Sequence, residues 1–114
     1  MWYFGFAFSA AMLPAGTVSI RKDDVEVETV KALLVGGNVV SCLNPSHTAT
    51  IEAAKARFGL EVSIPEKPPR VSLISGDTLV LMQVRGLPRL TDRHEYTEEE
   101  VSQASFSFMT ISVL

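Results

Sequence analysis

The chain has 114 residues, of which 46% are hydrophobic and 20% charged, with a formal net charge of −3 at pH 7. This length and apolar content predict one globular domain that buries its own core, and they exclude an intrinsically disordered chain. The surplus of acidic residues argues against a protein that binds duplex nucleic acid through a general excess of positive charge. An anionic ligand would therefore need a local basic patch.

The beginning of the chain is apolar, because no Lys, Arg, Asp or Glu occurs before Arg21. A signal peptide would need positive charge ahead of its apolar stretch, and a membrane span would need about 20 apolar residues without the break at Leu13-Pro14. Residues 2–8 therefore predict a buried central strand. Since Cys42 is the single cysteine, no intrachain disulfide can form, and we expect a cytoplasmic protein.

Apolar runs between turn residues predict the later strands. They span 17–21, 38–43, 61–64, 71–74, 79–84 and 106–113. The turn Ser75-Gly76-Asp77-Thr78 predicts that the fourth and fifth of these form a hairpin, with Asp77 serving only as a turn residue. In the last strand the apolar residues change faces after Phe108.

Capping residues predict three helices. The first is capped by Asp23 or Asp24 and ends at the glycine pair 36–37. The second has Asn44 as its N-cap with proline at the next position, and it ends near Phe58, just before a glycine.

The third helix begins at Thr97, which forms a capping box with Glu100, and it ends near Ala104. The order of elements predicts an α/β fold in which a mixed sheet of five to six strands is flanked by helices in a single domain, residues 1–114.

His47 is the main candidate for catalysis, because it falls in the first turn of the helix that Asn44 begins. Backbone N–H groups there lack intrahelical partners and the helix dipole favours an anion, so a phosphate can bind beside the imidazole. A histidine next to a phosphate is suited to act as a general acid at neutral pH. The alternative is a histidine that only caps the helix or lies at the surface.

Residues 85–94 are locally basic, with Arg85, Arg89, Arg93 and His94 against the single acid Asp92. Arginine side chains match phosphate oxygens two at a time, and Arg70 can extend the patch. The alternative is a solvated loop whose charge is balanced by the acidic stretch that follows. Neither a Cys42 nucleophile nor a metal site of Cys42, His47 and His94 has the expected orienting residue or ligand spacing, so no metal and no cofactor is predicted.

Several short motifs are spread over nearly the whole chain. They are Ala7-Phe8-Ser9 followed by Met12-Leu13, His47 with Thr50 and Gly59, Arg70-Val71-x-Leu73, Gly76-Asp77-x-Leu79, and Gln83. In this order and spacing they resemble the viral ring nucleases, which are small type III anti-CRISPR proteins of archaeal viruses and phages with relatives in bacterial genomes.

The resemblance implies a homodimer that binds cyclic tetra-adenylate across the subunit interface. The net negative charge and the interrupted apolar stretch separately predict no duplex and no membrane partner. In that family a ribose 2′-hydroxyl of the ligand attacks the adjacent phosphate without metal, and a histidine protonates the departing 5′-oxygen. The products are linear oligoadenylates that end in a 2′,3′-cyclic phosphate. His47 matches that histidine, and the positions implied to bind the ligand are Ser9, Asn44, Ser46, Thr50, Arg70, Gln83, Arg85, Arg89 and Asp92.

The sequence also departs from the family. Phe6 and Ala11 stand where family members usually carry asparagine, and Asn44 replaces a serine. The family has an arginine after the position of Gln83. Counting forward from Gln83 matches it to Arg85, whereas counting back from Thr97 matches it to Arg89. The second alignment places Asp92 where the family has a glutamate. The alternatives to a ring nuclease are a protein that binds and sequesters the same ring, and a protein-interaction factor of phage or host defence.

Overall fold

The computed structural model describes residues 1–67, 69–88, 90 and 95–114. These residues form strands β1 (Trp2–Gly5), β2 (Ile20–Val25), β3 (Val39–Ser41), β4 (Thr78–Arg85) and β5 (Ser105–Val113). They also form helices α1 (Val27–Val35), α2 (Thr48–Phe58) and α3 (Glu98–Gln103), and short 3₁₀ turns at Ala10–Met12 and Pro45–His47. No helix within these ranges is both long enough and apolar enough to cross a membrane.

The strands form one mixed sheet in the order β2-β5-β4-β1-β3. β1 pairs in parallel with β3 and β4, whereas β5 pairs antiparallel with β4 and β2. A parallel pairing needs a long crossover connection, and α2 lies in the connection from β3 to β4. The predicted fold, a single α/β domain with a mixed sheet and helices, is confirmed, with five strands in the described part of the chain.

The main core lies on the helix side of the sheet. Phe4, Val80, Met82 and Phe108 project from three neighbouring strands and are buried against residues of α1 and α2. β1 is thus a central strand, as predicted, although it ends at Gly5 rather than near residue 8.

Irregular segments cover the opposite face. Leu79 and Leu81 of β4 and Ile111 of β5 are buried there with Leu73. The Leu73 N–H donates to the Met12 carbonyl at 2.6 Å, which ties the segment before β4 to the segment after β1. Because β5 alternates faces, Phe108 packs on the helix side and Ile111 on this side, which confirms the predicted change of face.

The predicted hairpin is wrong, as are the strands at 61–64 and 71–74. Both edges of β4 are already paired, one with β1 and the other with β5, so the segment 71–74 has no free edge of β4 beside it. The segment 61–64 contacts β3 through a side chain instead of a ladder, since the Ser41 hydroxyl donates to the Ser63 carbonyl at 2.5 Å.

The predicted start of the first helix is also wrong. Asp23 and Asp24 lie in β2, because the pairing of β2 with β5 continues as far as Val25. The N-cap of α1 is Glu26, whose side chain makes no capping hydrogen bond. Cross-strand pairing therefore outweighs the capping preference of the two aspartates.

Asp77 is a turn residue, as predicted, and it also ties down its surroundings. Its Oδ2 accepts the Ile74 N–H at 3.0 Å, and its Oδ1 lies 3.2 Å from the Met1 amino group. The hydrogen bond from Ile74 lowers the pKa of the Asp77 carboxyl, and the amino group acts in the same direction while burial opposes both. The turn is thus held to the start of β1 by a carboxylate that stays ionised.

Candidate functional site

The carboxyl ends of the three parallel strands meet at one end of the sheet. β1 leads into Phe6, β3 leads through Cys42 and Leu43 to Asn44, and β4 ends at Arg85. Because β1 pairs with both of the other strands, segments far apart in sequence lie side by side here. Open α/β sheets bind their ligands beyond the carboxyl ends of parallel strands. This end of the sheet is therefore where a ligand site is expected.

Asn44 begins the helical segment as predicted. Its Oδ1 accepts the Ser46 N–H at 2.9 Å and also accepts the Ser46 hydroxyl. Pro45 follows at the first position, where no backbone donor is needed. The first turn, Pro45–His47, has 3₁₀ geometry, and α2 proper begins at Thr48. Asn44 and Ser46 therefore hydrogen-bond each other and fix the entry to the helix.

His47 forms the other half of this cap. Its Nδ1 lies 3.2 Å from the backbone nitrogen of Asn44 and accepts that N–H. A neutral imidazole that accepts at Nδ1 carries its proton on Nε2, so Nε2–H is the group left for a ligand. The side chain is half-buried, and this burial lowers the pKa of His47. The predicted capping role is therefore real, and it leaves one ring nitrogen for chemistry.

Phe6 packs directly against His47. The ring centroids are 4.7 Å apart and the ring planes are inclined at 58°. On its other side Phe6 meets the buried ring of Phe4, edge to face, at 6.2 Å. The sequence marks Phe6 only as a departure from the resembling family. No local pattern connects it with His47, because the contact joins the end of β1 to the beginning of α2.

A pocket of about 400 Å³ opens beside this aromatic contact. It is lined by Phe6, Thr50, Met82, Gln83, Val84 and Arg85. In β4 Gln83 and Arg85 are two positions apart, so they share one face of the sheet as predicted, and both are exposed. This is the face of Leu79 and Leu81, whereas Met82 and Val84 face α2 and Phe6, so the pocket lies at the end of the sheet and is lined from both faces. Three of the predicted ligand contacts, Thr50, Gln83 and Arg85, therefore line one pocket together with the residue that touches His47.

A larger pocket, of about 510 Å³, lies between α2 and α3. None of the predicted site residues lines it, and its rim carries the carboxylates of Glu52, Glu95 and Glu98. Such a rim repels an anionic ligand. Among the described residues that line it, three carboxylates against the single guanidinium of Arg57 make this pocket the poorer candidate for a phosphate compound.

The remaining predicted contacts lie elsewhere. Ser9 caps the short turn Ala10–Met12, and its Oγ accepts the Ala11 N–H at 3.2 Å. Arg70 is exposed at the start of the segment that covers the second face of the sheet. Neither residue lines the pocket. Arg89 and Asp92 lie outside the described residues, as do Arg93 and His94, so their roles stay predictions.

Cys42 is a half-buried residue just beyond β3. Its thiol donates to the Val40 carbonyl at 3.8 Å, and burial raises its pKa. A protonated thiol is a poor nucleophile, which agrees with the choice of His47 over Cys42. Within the described ranges, no group of three or more His, Cys, Asp or Glu residues could hold a metal ion.

Comparison with known proteins finds a structural likeness over the whole chain. The structure is similar to B116 of Sulfolobus turreted icosahedral virus, with a TM-score of 0.71, 18% sequence identity and 97% of each chain covered. No protein-family model matches the sequence, and no curated protein does so. The similarity to B116 shows a shared fold, and it agrees with the fold implied by the sequence resemblance.

Proposed function

We propose that this protein is a metal-independent ring nuclease that opens cyclic oligoadenylates, with cyclic tetra-adenylate as substrate. One observation carries the proposal: His47, with its proton on Nε2, packs on Phe6 beside a pocket lined by Gln83 and Arg85. The fold adds support, because B116 is a member of the viral ring nuclease family. Such an activity would counter or switch off type III CRISPR signalling.

The reaction asks little covalent chemistry of the protein. The 2′-oxygen of one ribose attacks the adjacent phosphorus and loses its proton to solvent, the bond from phosphorus to the 5′-oxygen breaks, and that 5′-oxygen takes up a proton. The protein has to align the attacking oxygen, stabilise the phosphate charge and supply the proton. The product is a linear oligoadenylate that ends in a 2′,3′-cyclic phosphate.

Each of these tasks has a candidate in the site. Arg85 provides a fixed positive charge and a planar set of donors for phosphate oxygens. Thr50 and Gln83 provide neutral donors and acceptors for a ribose or a base. His47 supplies the proton. Burial lowers the pKa of His47 in the free protein, whereas a bound phosphate favours the imidazolium and raises that pKa.

We further propose that the active form is a homodimer. Two-fold symmetry would present His47 twice to a ring of four chemically similar units. Each site would then face a phosphate related by the same symmetry, which suits two cuts in one ring. Sedimentation of the purified protein, alone and with ligand, measures this state directly.

The activity test is incubation of the purified protein with cyclic tetra-adenylate in EDTA, with products followed by mass spectrometry. We expect linear products carrying a 2′,3′-cyclic phosphate, and a parallel reaction with the ring of six adenylates reports ring-size preference. An intact ring after prolonged incubation with stoichiometric protein would contradict catalysis on these substrates.

A non-catalytic protein that sequesters the same ring is the second candidate. The observation in its favour is that Nδ1 of His47 accepts the Asn44 N–H, which requires an uncharged imidazole, and burial lowers the pKa of His47 in the same sense. A ligand-induced rise in Tm without turnover would support this candidate. No change in Tm would instead direct attention to a protein partner in phage or host defence.

Arg85→Ala is expected to weaken ring binding about tenfold, because a hydrogen bond between charged groups is worth about 1.5–3 kcal/mol and this side chain is exposed. Since the lost interaction is electrostatic, the dependence of the binding constant on salt should also become shallower. Titrations at several salt concentrations measure both effects.

Arg21→Ala is the matched control for that titration. Arg21 is equally an exposed arginine on a strand, but it pairs with Ser112 of β5, whereas Arg85 pairs with Ser105 at the other end of that strand. The control removes the same charge far from the pocket. Equal losses of affinity in the two variants would show that only net charge matters and would remove Arg85 from the site.

A further inference from the structure

We infer that Phe6 is a positioning residue: by packing on the imidazole of His47, it holds that ring in one orientation with the proton on Nε2. Its place in catalysis rests on the function proposed above, whereas its effect on the His47 ring does not. The inference stands on two contacts that hold the imidazole: the hydrogen bond at Nδ1 and the tilted ring contact with Phe6.

The hydrogen bond selects which nitrogen points inward. Nδ1 of His47 accepts the Asn44 N–H at 3.2 Å. A half-turn of the imidazole about its bond to Cβ would replace Nδ1 by a carbon and leave that N–H without this acceptor. The hydrogen bond alone, however, is a single contact at the edge of the ring, and it leaves the tilt of the ring free.

Phe6 supplies the second constraint. Its ring lies 4.7 Å from the imidazole, and it is itself held by an edge-to-face contact, at 6.2 Å, with Phe4. Phe4 is fully buried and belongs to the main core. A continuous row of three rings therefore runs from the core to His47. A smaller or polar side chain at position 6 would end this row one residue short of the site.

The same contact keeps the imidazole neutral in the free protein. Protonation at Nδ1 would break the hydrogen bond from Asn44, and the Phe6 ring occupies space in which water would solvate the cation. The charged residue that β4 contributes to the lining of the pocket is Arg85, and alternation along the strand directs its side chain to the face opposite α2. Cys42 after β3 is a protonated thiol, and Thr50 of α2 carries no charge.

Other charges on α2 are directed away from this site. Glu52 lines the pockets formed with α3 and with the segment after α2, not the one beside Phe6. Among the described residues that line this pocket none is anionic, so a ligand phosphate is the anion that we expect to favour the imidazolium here. Phe6 thus links proton uptake by His47 to phosphate binding, because it disfavours the imidazolium in the free protein and a bound phosphate favours it.

The experiment is NMR of protein labelled with ¹⁵N in its histidine rings, recorded across the pH range without ligand. The chain contains only two histidines, His47 and His94, so the spectrum of His47→Ala assigns the signals. We expect wild-type His47 to show the Nε2–H tautomer and a pKa below that of an ordinary exposed histidine, which is about 6.5.

Phe6→Ala frees the tilt of the imidazole and so weakens its hydrogen bond with the Asn44 N–H, which should mix the two tautomers and raise the pKa of His47 towards the exposed value. Phe6→Tyr should keep the wild-type pattern because it retains the aromatic ring. Phe8→Ala is the matched control, since Phe8 is a half-buried aromatic two positions away that packs on the opposite face. If Phe6→Ala does not fold, Phe6→Leu keeps an apolar side chain without an aromatic face. An unchanged tautomer and pKa of His47 in Phe6→Ala, or in Phe6→Leu where Phe6→Ala does not fold, overturns the inference.

The activity arm separates this inference from the proposed function. If His47 is the acid, the rate falls as the pH rises through the pKa of His47 in the complex. This fall should therefore come at higher pH in Phe6→Ala than in wild type, with a lower kcat at its maximum. If Phe6→Ala changes the tautomer and pKa of His47 but the wild-type protein cleaves no cyclic oligoadenylate, the proposed nuclease activity is refuted and the positioning role of Phe6 stands.

Discussion

His47→Ala is expected to abolish ring opening while leaving the affinity for cyclic tetra-adenylate largely intact. A general acid accelerates a reaction by about 10²–10⁴-fold. Among the described residues of the candidate site, His47 is the side chain that can donate a proton near neutral pH from the first turn of the helix. Phosphate contacts from Arg85 would remain. Single-turnover rates and equilibrium binding, measured on the same preparation, separate the two effects.

The same substitution also removes a helix cap, so a second variant is needed. His47→Gln keeps a side chain that can accept the Asn44 N–H, since glutamine is a normal partner at this position of a capping box. It cannot donate a proton as an acid. We expect His47→Gln to recover most of the roughly 1 kcal/mol of stability lost in His47→Ala but none of the activity. Activity in either variant close to wild type would rule out His47 as the acid.

Phe4→Ala is expected to lower the free energy of unfolding by about 3–5 kcal/mol. Phe4 is 0% exposed, and its ring joins the main core to Phe6 at the candidate site. Removing it leaves a cavity under a central strand, which neighbouring side chains can fill only in part. Since small domains are stable by about 5–15 kcal/mol, this change alone brings the protein near unfolding. Denaturant titration measures it.

Val35→Ala serves as the control for that titration. Val35 lies at the end of α1 and is 87% exposed, so its truncation should change the free energy of unfolding by less than about 0.5 kcal/mol. Comparable losses in the two variants would mean that Phe4 lies in no tightly packed core.

Local signals in the sequence predicted local structure well. The Thr97–Glu100 box forms as expected, with hydrogen bonds of 2.9 and 3.2 Å, and Gly59 ends α2 in the left-handed conformation. Asn44 caps its helix in the predicted way. Each of these features depends on residues within about one helical turn of each other, so a short stretch of sequence is enough to predict it.

Most differences between the predicted and the observed elements come from strand pairing. The segment 71–74 has the composition of a strand, but β1 and β5 occupy both edges of β4. The acidic pair at the end of β2 has the composition of a helix cap, but β5 pairs with it. These outcomes depend on which distant segments compete for one edge, and hydrogen bonding to a neighbouring strand decides the competition.

The sequence by itself determined the fold class and the cap at which the α2 segment begins, and it predicts His47, Gln83 and Arg85 as candidate site residues, Gln83 through the family resemblance. Only the tertiary structure decided that Phe6 contacts His47, that Thr50, Gln83 and Arg85 line one pocket, and that Ser9 and Arg70 do not. The physical reason is range: capping and periodicity act within a few residues, whereas the candidate site lies where three parallel strands from distant parts of the chain end together.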